Sequence, residues 1–323
     1  MKNISILIPL GNAALGCIEG AYTFFNKAND LLVSSGKPAS FNVQFVGLTK
    51  EVQVYDKFTV CPDLQIAEAN QTDLIIIPAV NGDIKKMIAM NKAFLPWIIK
   101  QYKDGSEVAS LCVGSFLLGA TGLLRRKKCA THWRQTNDFR KMFPDTFLEP
   151  EKIIAGESGI YSSGGGNSFW NLLLYLLERY TNRELAIQCS KYFEIDIGRS
   201  NQSPFNIFIG EMDHGDGPVR EAQLFIEHNF QTRITVDQLS DIVGVGRRTL
   251  ERRFKKATHH TVSEYIHNVK IEAAKKGFET GRKNIDEVMI DIGYSDTKAF
   301  RSIFKKTTGL SPTEYRGKYN SSR

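Results

Sequence analysis

The sequence predicts two domains of different class: an α/β domain with a parallel sheet over residues 1–195, and an all-α domain with two helix-turn-helix units over residues 219–323. Residues 196–218 read as a linker. Three observations carry this. Short aliphatic runs alternate with helix-period segments through the first part of the chain. Beyond Val219, apolar residues recur only at three- and four-residue spacing. The charge is also unevenly divided. Residues 1–217 hold 22 basic and 22 acidic side chains and residues 218–323 hold 20 and 13, so the whole net charge of +7 falls in the carboxy-terminal third. A neutral domain joined to a basic one points to a polyanionic partner, with DNA, RNA and an anionic membrane surface all open at this level.

A chain of 323 residues exceeds one average domain, and a hydrophobic fraction of 42% lets each domain bury its own core. Residues 4–9, 42–48 and 73–78 are rich in Ile, Leu and Val and read as buried strands, and 108–111 as a shorter one. Residues 18–34, 91–103 and 115–124 lie between them with helical spacing, and 164–180 begins glycine-rich and becomes an apolar helix. Strands alternating with helices argue for a parallel sheet covered on both faces.

Residues 4–10 follow a single lysine. The run is too short for a signal peptide and has no small-residue cleavage site, so a first strand explains it better. The longest apolar stretches, 74–77, 116–118 and 172–177, fall far short of a membrane span, and the expected location is cytoplasmic with no membrane partner. Cys17, Cys61, Cys112, Cys129 and Cys189 are odd in number, scattered and without a C-x-x-C pair, which suits neither a disulfide framework nor a zinc site. Free thiols are expected, with no metal and no cofactor.

Around residues 197–218 the pattern breaks, with Gly198, Ser200, Asn201, Ser203, Pro204, Gly210, Gly215, Gly217 and Pro218 close together. Phe205, Ile207 and Phe208 within this segment suit docking on one domain.

The helical part contains an internal repeat. Residues 250–265 and 300–315 align without a gap, and six of the 16 positions are identical: Phe254/Phe304, Lys255/Lys305, Lys256/Lys306, Thr258/Thr308, Glu264/Glu314 and Tyr265/Tyr315. Each copy is preceded by a helix and a glycine: 236–243 with Gly244 before the helix 247–257, and 285–292 with Gly293 before the helix 297–307. Helix, short glycine-containing turn and second helix make a helix-turn-helix, whose sharp turn calls for a positive φ. In the second helix of copy one, Leu250 and Phe254 face inward, leaving Arg248, Arg252 and Lys255 outside. In copy two, Phe300 and Phe304 face inward, leaving Lys298, Arg301 and Lys305 outside. An arginine so placed can bond bidentately to guanine in the major groove. Lys256 and Lys306 suit phosphates. Arg247, Thr297 and Ser302 complete the candidate DNA-contacting set, with simple solvation at Arg247 and Arg248 left open.

The stretch DIGYSDTKAFRSIFKKTTGLSPTEYR, residues 291–316, resembles the signature of AraC/XylS-type regulators, and the likeness extends over about residues 219–319. The resemblance implies that residues 261–280 form a long helix joining the two units and holding both recognition helices in successive major grooves. Three departures stand out. Gly246 replaces the serine that usually caps the first recognition helix. His259-His260 stands where the first copy often has glycine, and Arg301-Ser302 reverses the more common order, which unsettles the base preference of the second unit.

In the amino-terminal domain, ASLCVGS (residues 109–115) runs from an apolar strand through a small-residue turn into a helix. A residue at such an elbow is forced out over the sheet edge, and a helix N-terminus favours thiolate at Cys112. Together with IIIPAVNG (75–82), ATHW (130–133) and YSSGGG (161–166), it resembles the PfpI-like branch of the class I glutamine amidotransferase fold, a flavodoxin-like α/β architecture, over about residues 3–192. AraC-type regulators carrying such a domain form a known subgroup. The resemblance implies a domain that senses a small metabolite and mediates homodimerisation, with nitrogen-containing compounds such as quaternary amines as the effectors of placed members. Asn81, Gly82, Cys112, Val113, His132 and Gly165 are the candidate effector-pocket residues. Residues 161–166 lack a following Gly-Lys-Ser/Thr, so close backbone approach explains their glycines better than a phosphate loop.

Hydrolysis at Cys112 is the competing expectation. It needs a base within reach of the sulfur and a group orienting that base. In hydrolytic relatives histidine follows the cysteine and an acidic residue near the first strand touches the thiol. Here Val113 follows, Gly16 takes the acidic position, Glu19 is out of register, and His132 is the only evident partner. Cys112 is therefore expected to be a vestigial nucleophile, either an inert pocket-lining cysteine or a redox- or ligand-responsive thiol. The chain is expected to be a sequence-specific transcriptional regulator, with promoter DNA, a small effector and RNA polymerase as partners. The alternative is a cysteine-dependent amide hydrolase carrying a DNA-binding tail.

Overall fold

Leu74–Ile77 is aliphatic at all four positions and fully buried, which places it in the middle of a sheet with both faces covered. The computed structural model describes residues 1–281 and 283–320. The sheet has seven strands: β1 (Lys2–Ile8), β2 (Phe41–Gly47), β3 (Leu64–Gln65), β4 (Leu74–Ile77), β5 (Glu107–Ser110), β6 (Ile154–Glu157) and β7 (Ile160–Ser163). Their order is β6-β7-β5-β4-β1-β2-β3, and every neighbouring pair is parallel except β6–β7. Ile6 sits between Ile76 and Phe45 in register. The parallel sheet matches the expected α/β class. The antiparallel hairpin at its edge was not foreseen; it turns on Ser158 and Gly159, both at positive φ, as a two-residue hairpin requires.

Two sets of helices flank the sheet. Helix α1 (Leu15–Ser34) belongs with α6 (Ser168–Tyr180) and α7 (Arg183–Tyr192). Helices α2 (Ile84–Met90) and α3 (Phe94–Lys103) pack on α4 (Ser115–Ala120), with α5 (Thr136–Met142) following. One continuous core joins them, from Ile4, Ile6 and Ile8 on β1 through Phe24 and Phe25 on α1 to Leu172, Leu173 and Leu176 on α6.

The chain divides into two compact units, Met1–Gln202 and Ser203–Arg323. The break lies inside the segment read as a linker, and both sides of it are tied down. Asn171 donates to the Asp196 carbonyl, and buried Gln202 bonds the Thr131 and Pro150 carbonyls and the Gly165 N–H. On the other side, Phe208 packs edge-on against Tyr265 and its N–H donates to Glu272. Gly-, Ser- and Pro-rich composition marks irregular backbone on each side of the break.

The second unit is helical, with no strand among its described residues: α8 (Gly217–Asn229), α9 (Val236–Val243), α10 (Arg247–Thr258), α11 (Val262–Thr280), α12 (Ile285–Asp291), α13 (Thr297–Thr308) and α14 (Pro312–Tyr319). Capping boxes start three of them, Thr261 with Glu264, Asn284 with Glu287 and Ser311 with Glu314. Two separate cores result. Ile226, Leu239, Leu250, Phe254 and Tyr265 form the first. Phe278, Val288, Phe300, Phe304 and Tyr315 form the second. Helix α11 supplies residues to both, its first half to one and its second half to the other.

Candidate nucleic-acid interface and effector site

The two recognition helices, α10 and α13, have the same burial sequence. From residue 251 to 260 and from 301 to 310 the order of exposed, half-buried and buried positions is identical, residue for residue. Leu250, Phe254 and Thr258 point into one core and Phe300, Phe304 and Thr308 into the other. That leaves Arg248, Arg252, Lys255 and Lys256 exposed on α10, and Lys298, Arg301, Ser302, Lys305 and Lys306 exposed on α13, while Thr297 is half-buried. The turns ahead of these helices use Gly244 at φ +64° and Gly293 at φ +75°, the left-handed region that glycine enters at no steric cost.

Arg247 is exposed but engaged: it bonds Asp237 at 3.1 Å and Glu251 at 3.4 Å. A recess of about 700 Å³ lies between α10 and the start of α11, lined by Arg247, Arg248, Arg252, Lys255 and Lys256 with Glu251 among them. Guanidinium and ammonium groups beside helix N-termini make such a surface attractive to phosphate. Two residues missed by reasoning from sequence hold this face in place. Arg253 reads as one more base in a basic run, yet its guanidinium bonds both Asp216 oxygens, at 2.9 and 2.7 Å, tying α10 to the start of α8. Lys270 is buried on α11 and donates to three backbone carbonyls.

In the first unit, Cys112 sits at the turn between β5 and α4 with φ +54°, a strained conformation for a residue with a side chain. Its N–H donates to Ser163 Oγ at 3.0 Å. The expected thiolate is corrected. Burial raises the Cys112 pKa above its ordinary value, outweighing the hydrogen bonds from the Val113 and Gly166 backbones. Desolvation of the charged form wins over a helix N-terminus of only a few residues. Val113 is buried beside it.

His132 packs on the glycine-rich turn; a Cβ added at Gly165 would lie 2.4 Å from its ring. His132 Nδ1 accepts the Arg134 N–H, and burial, with Arg134 nearby, lowers its pKa. The imidazole is therefore oriented by a backbone amide rather than by a carboxylate. Glu19 is exposed and bonded to Thr23, and Cys17, raised to about 12 by burial, is the buried side chain next to Gly16. The six expected pocket residues divide. Asn81 and Gly82 line a cavity of about 350 Å³ with Gly11, Asn12 and Lys86, whereas Cys112, Val113, His132 and Gly165 gather around the elbow. Among the described residues no cluster of His, Cys, Asp and Glu suits a metal ion, and no helix is long and apolar enough to cross a membrane.

Comparison with known proteins accounts for both parts. Residues 22–178 match the DJ-1/PfpI family and residues 239–318 match a helix-turn-helix domain. The HTH-type transcriptional regulator GbdR of Pseudomonas aeruginosa is 25% identical over 268 residues, covering 83% of this chain and 72% of the relative. The xylose operon regulatory protein of Escherichia coli K12 is 36% identical over 101 residues, 31% of this chain and 26% of that protein. The crystal structure of an AraC family transcriptional regulator from Pseudomonas putida aligns with a TM-score of 0.52 at 17% identity, over 60% of this chain and all of that one. At that identity the last likeness speaks for the fold. The amino-terminal match, the helix-turn-helix match and the relative that spans both place this chain among AraC-type regulators that carry a DJ-1/PfpI domain.

Proposed function

We propose that this chain is a sequence-specific transcriptional regulator that binds promoter DNA through α10 and α13 and answers to a small effector held by its DJ-1/PfpI domain. The observation that carries this reading is the pair of recognition helices with one burial pattern and outward basic faces, within the part of the chain that holds all the excess positive charge. Arg252 and Arg301 are assigned to base edges, and Lys255, Lys256, Lys305 and Lys306 to phosphates. A nitrogen-containing effector around Cys112 and His132, homodimerisation through the amino-terminal domain, contact with RNA polymerase and a cytoplasmic location belong to the same reading. The effector acts by binding two states of the regulator with different affinity.

The test is selection of DNA fragments by the purified protein, followed by titration of the selected operator. Arg252→Ala and Arg301→Ala should each cost about 1–3 kcal/mol of specific affinity, with binding that falls steeply as salt rises. Operator affinity equal to wild type in both variants would refute the base-contact assignment. The strained Cys112 conformation favours a hydrolase as second reading, but its protonated thiol and the backbone-held His132 oppose it. Cys112→Ala should keep full operator binding; loss of an amide-hydrolysing activity in that variant would support the hydrolase instead.

A further inference from the structure

Helix α11 carries a buried ammonium, Lys270, that pairs with no carboxylate among the described residues. Lys270 Nζ lies 2.9 Å from the Ile292 carbonyl and 3.3 Å from those of Thr232 and Gly293. An ammonium has three N–H donors, so three carbonyls satisfy it fully, and this offsets the cost of burying the charge. Desolvation nevertheless lowers its pKa. The accepting groups come from different places. Thr232 lies in the turn between α8 and α9 of the first helix-turn-helix unit, whereas Ile292 and Gly293 form the turn between α12 and α13 of the second. The two turns also touch: a Cβ on Gly293 would stand 2.0 Å from the Gln231 carbonyl. Tyr294, next in the chain, lies under Lys270 with its ring centroid 5.3 Å from Nζ and bonds His267 of α11 at 2.7 Å.

We infer that Lys270 is a positioning residue that fixes the second recognition helix relative to the first, and so sets the spacing between the two DNA sub-sites the regulator accepts. The inference rests on the DNA-binding reading above. Helix α11 runs between the two cores as a shaft, with Phe230 from the turn after α8 also packed on the second core, but a shaft and one apolar contact do not by themselves stop the α12–α13 turn from rocking. Three charge-assisted hydrogen bonds from one point on the shaft to both turns do. Removing the donors leaves three carbonyls facing an apolar side chain, and the turns regain freedom to part. Two linked binding modules keep their combined affinity only while their geometry lets both engage at once.

The experiment uses the full chain and an operator selected by wild type, carried in three forms: intact, with the second sub-site scrambled, and with one base pair inserted between sub-sites. Wild type should lose about tenfold or more on insertion. Lys270→Met, unbranched and one atom shorter but without donors, should lose about tenfold on the intact operator, change little on the scrambled one, and show a smaller insertion penalty than wild type. Lys270→Arg, which restores donors, should recover a substantial part of the loss. If Lys270→Met fails to fold, Lys270→Gln, which keeps an N–H donor on a shorter stem, takes its place with the same expectation. A folded donor-deleted or shortened variant with wild-type affinity and wild-type insertion penalty overturns the inference, as does equal loss on intact and scrambled DNA. Absence of any preferred operator in wild type itself overturns the regulator reading, and is seen before any Lys270 variant is measured.

Discussion

The two helix-turn-helix units share one internal frame and differ in how they are anchored to their surroundings. Tyr265 meets Phe254 edge-on at 5.3 Å and donates to Glu227 at 2.6 Å, and Tyr315 meets Phe304 edge-on at 5.5 Å and donates to Glu279 at 2.5 Å. Thr258 and Thr308 each bond back to the phenylalanine carbonyl four residues earlier. The repeated Phe, Thr, Tyr and Glu residues therefore have structural work in both copies. The other two repeated residues, the Lys255-Lys256 and Lys305-Lys306 pairs, are exposed and outside both cores. The fold does not require them, which favours a phosphate role. The guanidinium groups differ: Arg252 aligns with Ser302, and Arg301 with Glu251. One residue along a helix turns the side chain by about 100°, so the two units present their arginines at different angles and should prefer different sub-sites.

The largest expected contrast between the units lies at their turn glycines. Gly293 has positive φ and no room: the Gln231 carbonyl and Lys270 Nζ both crowd the place of a Cβ. Gly244 has positive φ but nothing within 4 Å. Gly293→Ala should therefore destabilise the second unit by about 3–4 kcal/mol, combining overpacking with backbone strain. Gly244→Ala should cost about 1 kcal/mol from strain alone. Urea unfolding followed by amide exchange in α13 and α10 measures both, and equal losses would show that the inter-turn contact is not tight.

How much of this was legible in the sequence depends on the range of the interaction. The recognition helices were readable because inward residues recur at helical spacing and the repeat shows the same pattern twice. The glycine turns were readable for the same local reason. Lys270 was not, because its partners are carbonyls 22, 23 and 38 residues away and carbonyls carry no residue identity. Arg253 was hidden by composition, one guanidinium among several. At Cys112 the elbow was legible from small residues around a strand end, but the protonation state was not, since burial by distant segments raises the thiol pKa and the opposing hydrogen bond from the Gly166 backbone also comes from far along the chain. The β6–β7 hairpin was missed because four-residue strands around Ser158-Gly159 leave too little alternation to detect.

A second contrast is electrostatic. Asp216 caps α8 and grips Arg253 on α10, whereas the residue aligned with Arg253 is Ile303, packed on the second core. Asp216→Ala should destabilise the first unit by about 1–2 kcal/mol through the lost cap and anchor. The same pair predicts unequal behaviour in acid. Hydrogen bonding from Arg253, helped by the Val219 N–H, lowers the Asp216 pKa below 3.8. A depressed carboxylate contributes stability that is complete above its unfolded-state pKa and is lost as pH falls through the lower folded value. The capping carboxylates Glu264 and Glu314 are lowered too, by bonds to Thr261 and Ser311, but they occur once in each copy and cancel in the comparison. Below about pH 4, amide protection in α10 should therefore decline ahead of that in α13. Simultaneous decline, or an Asp216→Asn variant with an unchanged acid profile, would count against the anchor.

The smallest expected effect concerns the start of each recognition helix. Asp296 accepts from the Lys298 and Ala299 N–H groups at 2.8 and 3.1 Å and closes the first turn of α13. Gly246 holds the equivalent place before α10 in extended conformation, φ −61° and ψ 145°, with no side chain to accept anything. That backbone geometry is one that serine or aspartate adopts without strain, and nothing lies within 4 Å of a Cβ there. Gly246→Ser should therefore stabilise the first unit by a few tenths of a kcal/mol, roughly the margin by which serine exceeds glycine as a cap, while Asp296→Ala should cost about 1 kcal/mol in the second. Gly246→Asp is the more informative variant for function. It would add the same cap but place a carboxylate beside Arg247 and Arg248 on the face assigned to DNA. Stability should rise slightly while operator affinity falls, and a rise in both would mean that the start of α10 stands away from the phosphates.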